Sequence, residues 1–216
     1  MNALCLLARV PAPGAGKSRL RAGLGDAVTD RLTRAFVEDV LNWSTAAADA
    51  VVVACAGSTA DLPLGGRPRA CIPQVDGDLG DRIAAAVDAS FELGATRVVI
   101  VGTDCPTLPA RLVAAAFAGL SHAASTLVPA ADGGWIALGV DRPLGATLAR
   151  VVWSSELTGS QTIAALVADG RPPLVLPAWY DIDEPADLDR VLNDLGGSAR
   201  APRTYAALEE MVVRTR

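Results

Sequence analysis

Short apolar runs alternate with amphipathic stretches along most of the chain. The runs at residues 3–8 (ALCLLA), 50–56 (AVVVACA) and 97–102 (RVVIVG) are too short for typical helices and rich in aliphatic side chains. Each predicts a strand covered on both faces. Helical spacing predicts helices over about 26–47, 79–93, 160–168 and 185–195, with another opening near Pro109 and a last short one after GGSARAPRT. A loop rich in glycine and proline, GSTADLPLGGRP, leads into a short apolar RACIP. Strands separated by helices predict a largely parallel sheet. The pair STLVPA and GWIALGV, joined only by ADGG, breaks that rhythm and makes the sheet mixed. The pattern therefore gives an α/β chain with helices on both faces of the sheet.

Composition narrows the function classes. At 216 residues, one domain is the default expectation. Acidic side chains outnumber basic ones, 24 to 19, and no stripe of lysine or arginine stands out, which excludes the electrostatic footprint of a nucleic-acid binder. Cys5, Cys55, Cys71 and Cys105 lack C-x-x-C spacing and His122 is the only histidine, so zinc is not expected and a reduced cytoplasm is. The opening MNALCLLAR has no basic n-region, and no apolar run reaches the roughly 18 residues of a membrane span, so a soluble protein is expected.

The candidate chemistry starts at PAPGAGKSRL. It nearly matches the phosphate-binding pattern G-x-x-x-x-G-K-[ST] at Gly16, Lys17 and Ser18, but Pro11 replaces the first glycine. Pro11 and Pro13 remove amide donors, and Gly23 and Gly25 weigh against a helix beginning at Lys17, by about 1 kcal/mol each relative to alanine. A stiffened loop remains, in which Lys17 and Arg19 can hold phosphates from their side chains. A P-loop kinase or ATPase is the competing reading, and a helix opening at Lys17 would favour it. Asp104 follows the strand RVVIVG, where a carboxylate suits magnesium and phosphates but could also cap the next helix. In YDIDEPADL, one of Asp183 and Glu184 is expected to cap a helix, with metal binding an added role for Asp183 or Asp181. Asp132, Gly133 and Gly134 before Trp135 make a tight turn or a close approach to a ligand. Gln74, Gly77, Asp78, Gly80 and Arg82 either cap a helix or meet a nucleobase.

In this order, PAPGAGKSRL, GDLGDR, VVIVGTDCPTL, ADGGWIALGV and YDIDEPADL resemble the motifs of small bacterial transferases of GT-A fold, the selenodomain-associated transferase 1 type. These are related to molybdenum-cofactor and phospholactate guanylyltransferases. The resemblance spans about residues 3–192. It implies a three-layer α/β/α, Rossmann-like GT-A (nucleotide-diphospho-sugar transferase) domain over 1–195, followed by an extension, 196–216, with a short helix. It further implies a nucleotide near Ala8, Pro11, Gly14, Gly16, Lys17, Arg19, Gln74, Gly77, Asp78, Gly80 and Thr103, and an acceptor facing Asp132, Gly133, Gly134 and Trp135. Lys17, Arg19 and Asp104 would be catalytic, and Asp104, Asp183 and Asp181 would hold Mg2+. Ser18 and Trp135 stand where that group usually has threonine and tyrosine.

The function expected is magnesium-dependent transfer of a nucleoside monophosphate from a triphosphate to a small phosphorylated acceptor, releasing pyrophosphate. A glycosyltransferase using a nucleotide sugar is the alternative, although GTDCP offers one aspartate rather than Asp-x-Asp. An ionised phosphate acceptor needs no general base, which fits a chain without a plausible catalytic histidine. The terminal TYAALEEMVVRT is amphipathic in outline and permits a homodimer interface.

Overall fold

The computed structural model describes residues 1–62, 70–194 and 196–214, so residues 63–69 of the predicted loop and Leu195 at the end of a predicted helix lie outside the described residues. In chain order the elements are β1 (Asn2–Arg9), α1 (Ser18–Leu24), α2 (Asp26–Ser44), β2 (Ala50–Ala56), β3 (Ala70–Pro73), α3 (Leu79–Glu92), β4 (Arg97–Gly102) and α4 (Ala110–Gly119). There follow β5 (Ser125–Pro129), β6 (Trp135–Val140), α5 (Thr158–Ala168), β7 (Pro173–Val175), α6 (Asp187–Asn193), α7 (Gly197–Arg200) and α8 (Pro202–Arg214).

The strands form one sheet in the order β3-β2-β1-β4-β6-β5-β7. All neighbours run parallel except β6, which is antiparallel to both β4 and β5, with Leu138 opposite Ile100 on one side and Leu127 on the other. The mixed, mainly parallel sheet expected from the unbroken STLVPA–GWIALGV pair is present. Alternation along β1 divides the core. Leu4, Leu6 and Ala8 pack with Val37, Val40 and Leu41 of α2 and Val113 and Phe117 of α4, whereas Ala3, Cys5 and Leu7 pack with Ile83 and Val87 of α3 and Leu166 of α5. The result is a sheet between two helical layers.

Three local expectations change. A helix does open beside the lysine: α1 starts at Ser18, with Lys17 in the left-handed region at φ 47°. Gly23 is tolerated because a side chain there would run into the Pro185 ring, so the glycine lets α1 dock against the segment carrying Asp183. That tertiary contact outweighs the propensity cost. The three-residue β7 was not predicted; it is an edge strand opening with Pro173, too short to show a period. The segment after Gly196 forms two helices, and α8 lies along α2. Ala207 and Leu208 join Leu20, Leu32, Phe36, Leu188 and Val191 in a third apolar cluster. The start of α8 is fixed by Asp39 of α2, which is 1% exposed and accepts from the Arg203 amide (3.1 Å), the Thr204 amide (2.8 Å) and the Thr204 hydroxyl (2.8 Å). A buried carboxylate is thus satisfied by the unpaired amides of a helix's first turn. Among the described residues, no helix is long and apolar enough to cross a membrane.

Candidate active site

A crevice of about 1170 Å³ opens where β1 and β4 end and β6 begins. Because β6 runs the other way, its first residue, Trp135, stands at the same edge as the last residues of β1 and β4. The lining includes Ala8, Pro11, Gly16, Lys17, Arg19, Gln74, Thr103, Asp104, Asp132, Gly134, Trp135, Asp181 and Asp183. Gly14, Gly77, Asp78, Gly80 and Gly133 are not part of that lining.

The loop before α1 is pinned from below. Arg21 of α1 donates to the carbonyls of Ala15 (2.9 Å) and Gly16 (3.2 Å) and pairs with Asp30 of α2 (2.8 Å), while Asp30 accepts from the Gly14 amide (3.2 Å). Arg21 beside it holds the Asp30 carboxyl below the usual range. Gly14 therefore holds the loop in place through an amide that is already spent. With Pro11 and Pro13 adding none, the loop does not present the row of free amides a Walker loop needs. The helix start is compatible with a P-loop kinase, but the amide supply is not.

The same loop delivers Lys17 across the sheet edge. Its side chain is 8% exposed, and its Nζ donates to the Ile182 carbonyl (2.7 Å) and Asp183 (2.6 Å) and pairs with Asp104 (3.0 Å). Burial alone would lower the lysine's pKa; the charges of Asp104 and Asp183 outweigh it and hold the pKa above the ordinary value. Arg19 is exposed and reaches Glu184 at 3.3 Å. Burial first, then the charges of Asp183 and Asp132, push the Asp181 carboxyl up to about 6. This corner holds more negative charge than its one ammonium neutralises.

Asp183 and Glu184 do not cap α6. The helix has no side-chain cap at its start; instead Asp187 reaches back to accept from the backbone amides of Asp183 (2.9 Å) and Glu184 (2.8 Å). The carboxylate inside the first turn thus ties down the segment that leads into the helix, and the Asp183 side chain is turned to Lys17. Asp104 does not cap α4 either, since Pro109 stands at the cap position of that helix and no side chain caps it.

On the opposite wall the structural readings hold for several candidates. Asp78 and Asp81 form a reciprocal capping box on α3. Gly80 lies under Trp153, whose Nε1 would be 2.8 Å from a Cβ there. Gly77 adopts φ 124° ahead of the cap. Gln74 donates through Nε2 to the carbonyls of Ala8 (2.9 Å) and Ala54 (3.0 Å), latching the ends of β1 and β2, so what it can offer a ligand is its oxygen. Asp132 accepts from the Gly134 amide (2.9 Å). Gly133 makes a close approach to protein: the Glu156 backbone occupies the place of a side chain, and the Gly159 amide donates to the Gly133 carbonyl (2.8 Å). Trp135 donates to Thr162 (3.2 Å) and meets Trp153 edge to face at 6.4 Å.

Sequence reasoning missed Trp153 and the loop through Glu156, both lining the crevice, and the supporting roles of Arg21, Asp30 and Asp187. Asp26 and Asp30, one helical turn apart and both following Arg21, were a readable hint. His122 is exposed after α4 and Cys105 is buried, its thiol pushed up by burial. Neither offers a catalytic base or nucleophile.

Asp104 and Asp183 share one cation, Lys17, so their oxygens already meet around a single charge. Among the described residues no group of three or more His, Cys, Asp or Glu is arranged to hold a metal. Magnesium keeps waters and binds through one or two carboxylates plus phosphates, so this donor set fits a cation that arrives with a nucleotide and does not fit an all-protein cage.

A family model described as an uncharacterized protein conserved in bacteria (DUF2064) matches residues 32–155. Comparison with functionally curated proteins gave no match. Among solved structures, a protein of Desulfovibrio desulfuricans G20 assigned to the nucleotide-diphospho-sugar transferases is 29% identical, with a TM-score of 0.86 over 97% of this chain and 94% of its own. Rv0371c of Mycobacterium tuberculosis H37Rv, in complex with manganese, is 20% identical with a TM-score of 0.52, over 90% of this chain and 99% of its own. A CMP:2-keto-3-deoxy-manno-octonic acid synthetase complexed with CTP is 14% identical with a TM-score of 0.54, over 96% of this chain and 99% of its own. The fold is that of the nucleotide-diphospho-sugar transferases.

Proposed function

The chain belongs to the bacterial DUF2064 family, and from that premise and its crevice we propose that it is a nucleotide-dependent transferase: a nucleotidyltransferase that joins a nucleoside monophosphate to a small phosphorylated acceptor. The observation that carries this reading is the single ammonium of Lys17 between Asp104 and Asp183 at the sheet's ligand edge. In nucleotidyl transfer an acceptor oxygen bonds to the α-phosphorus as the bond to the bridging oxygen breaks, and pyrophosphate leaves with the charge. A buried, positively charged lysine at that point stabilises charge on the bridging and leaving oxygens. Arg19, held only by an exposed pair with Glu184, is free to grip a phosphate with two nitrogens.

Asp104 and Asp183 would hold Mg2+ entering with the nucleotide, with Asp181 beside them. When bound, the ion would neutralise charge on the phosphates. Binding there would also offset the charges of Asp183 and Asp132, which add to burial in raising Asp181. Ala8, Pro11, Gly16 and Thr103 line the nucleotide side, and Gln74 offers an acceptor oxygen to a base. The acceptor lies toward Asp132, Gly134 and Trp135. The CTP complex and the manganese complex among the neighbours support a nucleotide and a divalent cation in this fold.

The test is pyrophosphate release from each nucleoside triphosphate with Mg2+ and a panel of phosphorylated acceptors. No release with any pair would end the reading. A second reading, glycosyl transfer, is favoured by the assignment of the Desulfovibrio relative; stabilisation by nucleotide sugars and not by triphosphates would select it.

A further inference from the structure

The four basic side chains lining the crevice fall into two groups. Lys17 is tied to Asp104 and Asp183, and Arg19 to Glu184. Arg9 and Arg82 also line the crevice, yet among the described residues neither has an ion pair or a side-chain hydrogen bond. In Arg82 the Nε is covered and unpartnered, while the terminal nitrogens are not among the buried unpaired atoms, so they stand open to the crevice.

The two arginines share one side of the sheet. Arg9 follows Ala3, Cys5 and Leu7 in the alternation of β1, and those residues pack beneath α3, which carries Arg82. Trp135 and Trp153 pack against that same layer. The acids are otherwise engaged or placed: Asp104 and Asp183 hold Lys17, Glu184 holds Arg19, Asp132 accepts from Gly134, and Asp78 and Asp81 cap α3. Glu156 and Asp181 also line the crevice and form no pair with either arginine.

We infer that Arg9 and Arg82 form a phosphate subsite on the α3 wall, opposite Lys17, which holds the phosphate of the acceptor beside the Trp135–Trp153 pair. Two guanidinium groups supply donors only, and together they match the charge of a phosphate dianion. The crevice, at about 1170 Å³, is roomier than the ~300–1,000 Å³ of a usual single-ligand site, so two substrates can be present together. Identifying the bound phosphate as the acceptor's rests on the nucleotidyl-transfer reading; the phosphate subsite itself does not.

The experiment is calorimetric titration of the full chain with inorganic phosphate, and with acetate as a monoanionic carboxylate, on wild type, Arg9→Gln, Arg82→Gln and Lys17→Gln. Thermal shift with Mg2+ and each nucleoside triphosphate runs alongside, and circular dichroism confirms folding. Expected are phosphate binding in preference to acetate, a loss of about tenfold or more in Arg9→Gln and in Arg82→Gln, little change in Lys17→Gln, and an unchanged nucleotide shift in both arginine variants. Phosphate affinity that ignores both arginine substitutions would overturn the subsite. A nucleotide shift that falls as far as phosphate binding would overturn its assignment to the acceptor. If no triphosphate stabilises the wild type while phosphate binding still depends on both arginines, the subsite stands and the nucleotidyl-transfer reading falls.

Discussion

Replacing Lys17 by alanine, and separately by glycine, separates its charge from its backbone. Both substitutions remove an ammonium held by Ile182 O at 2.7 Å, Asp183 at 2.6 Å and Asp104 at 3.0 Å. A fully buried pair of this kind would cost about 3–5 kcal/mol to break, but the two carboxylates are 51% and 40% exposed, so water takes over much of their solvation. A net loss of about 1–2 kcal/mol is the discounted figure. For a chain of this length that lowers Tm by about 3–6 °C. Alanine keeps the left-handed backbone at φ 47° with its Cβ, at a cost of about 1–2 kcal/mol that glycine escapes, less the ~0.4–1 kcal/mol by which glycine favours the unfolded chain. Lys17→Gly should therefore melt about 1–3 °C above Lys17→Ala by scanning calorimetry. Pyrophosphate release should fall about 10²–10³-fold in both, since the lost charge is the same. An alanine variant as stable as the glycine one would refute the strained-backbone account, and retained turnover would refute the catalytic one.

Asp104→Asn and Asp183→Asn should each abolish magnesium-dependent stabilisation by nucleotide in a thermal-shift assay, and should leave any metal-independent shift in place. Asp39→Ala removes three hydrogen bonds from a buried carboxylate at the start of α8, costing about 2–3 kcal/mol and about 5–10 °C in Tm; an unchanged melt would show that α8 is not held there. Asp30→Asn weakens the pin on Gly14 and Arg21, and should raise KM for nucleotide more than it changes the melting temperature. Burial works against the Asp194 carboxylate, but Arg200 and the Gly196 amide outweigh it and hold its pKa below the ordinary 3.8. Its contribution is thus full above that value and lost as pH falls through the lowered pKa of the folded state, so wild type and Asp194→Asn should differ in Tm at neutral pH and converge in acid once the folded-state carboxyl is protonated. A gap that persists in acid would remove this ionic contribution.

Hydrophobic patterning located β1, β2, β4, β5 and β6 and the helices between them because those strands are continuous and buried, and burial leaves a legible run. What escaped was decided by contacts distant in sequence. Gly23 reads as a helix breaker until Pro185 is seen against it. Asp183 reads as a cap, but α6 has no side-chain cap, and Asp187 instead reaches backward from inside the helix to the amides of Asp183 and Glu184. Lys17, Asp104 and Asp183 were named from the motifs, and they do meet. Gly77, Asp78 and Gly80 take part in helix capping and tryptophan packing, uses that a sequence does not separate from ligand binding. Trp153 sits in an irregular loop with no period to mark it, so its place beside Trp135 shows only in three dimensions.

The reversed direction of β6 has a consequence for how such a site diversifies. On the β1 and β4 side, the groups proposed to face the nucleotide hang from strand ends whose position is set by parallel pairing along their length. On the other side, Asp132 hangs from the hairpin connection that leads into Trp135 at the start of β6, and Trp153 from the long loop that follows β6. Residues can be inserted or exchanged in those connections without shifting the register of any ladder. One half of the crevice is thereby fixed by the sheet, and the other is free to change from one chain to the next; on the proposed reading, descendants of a common ancestor could exchange acceptors and keep the same donor.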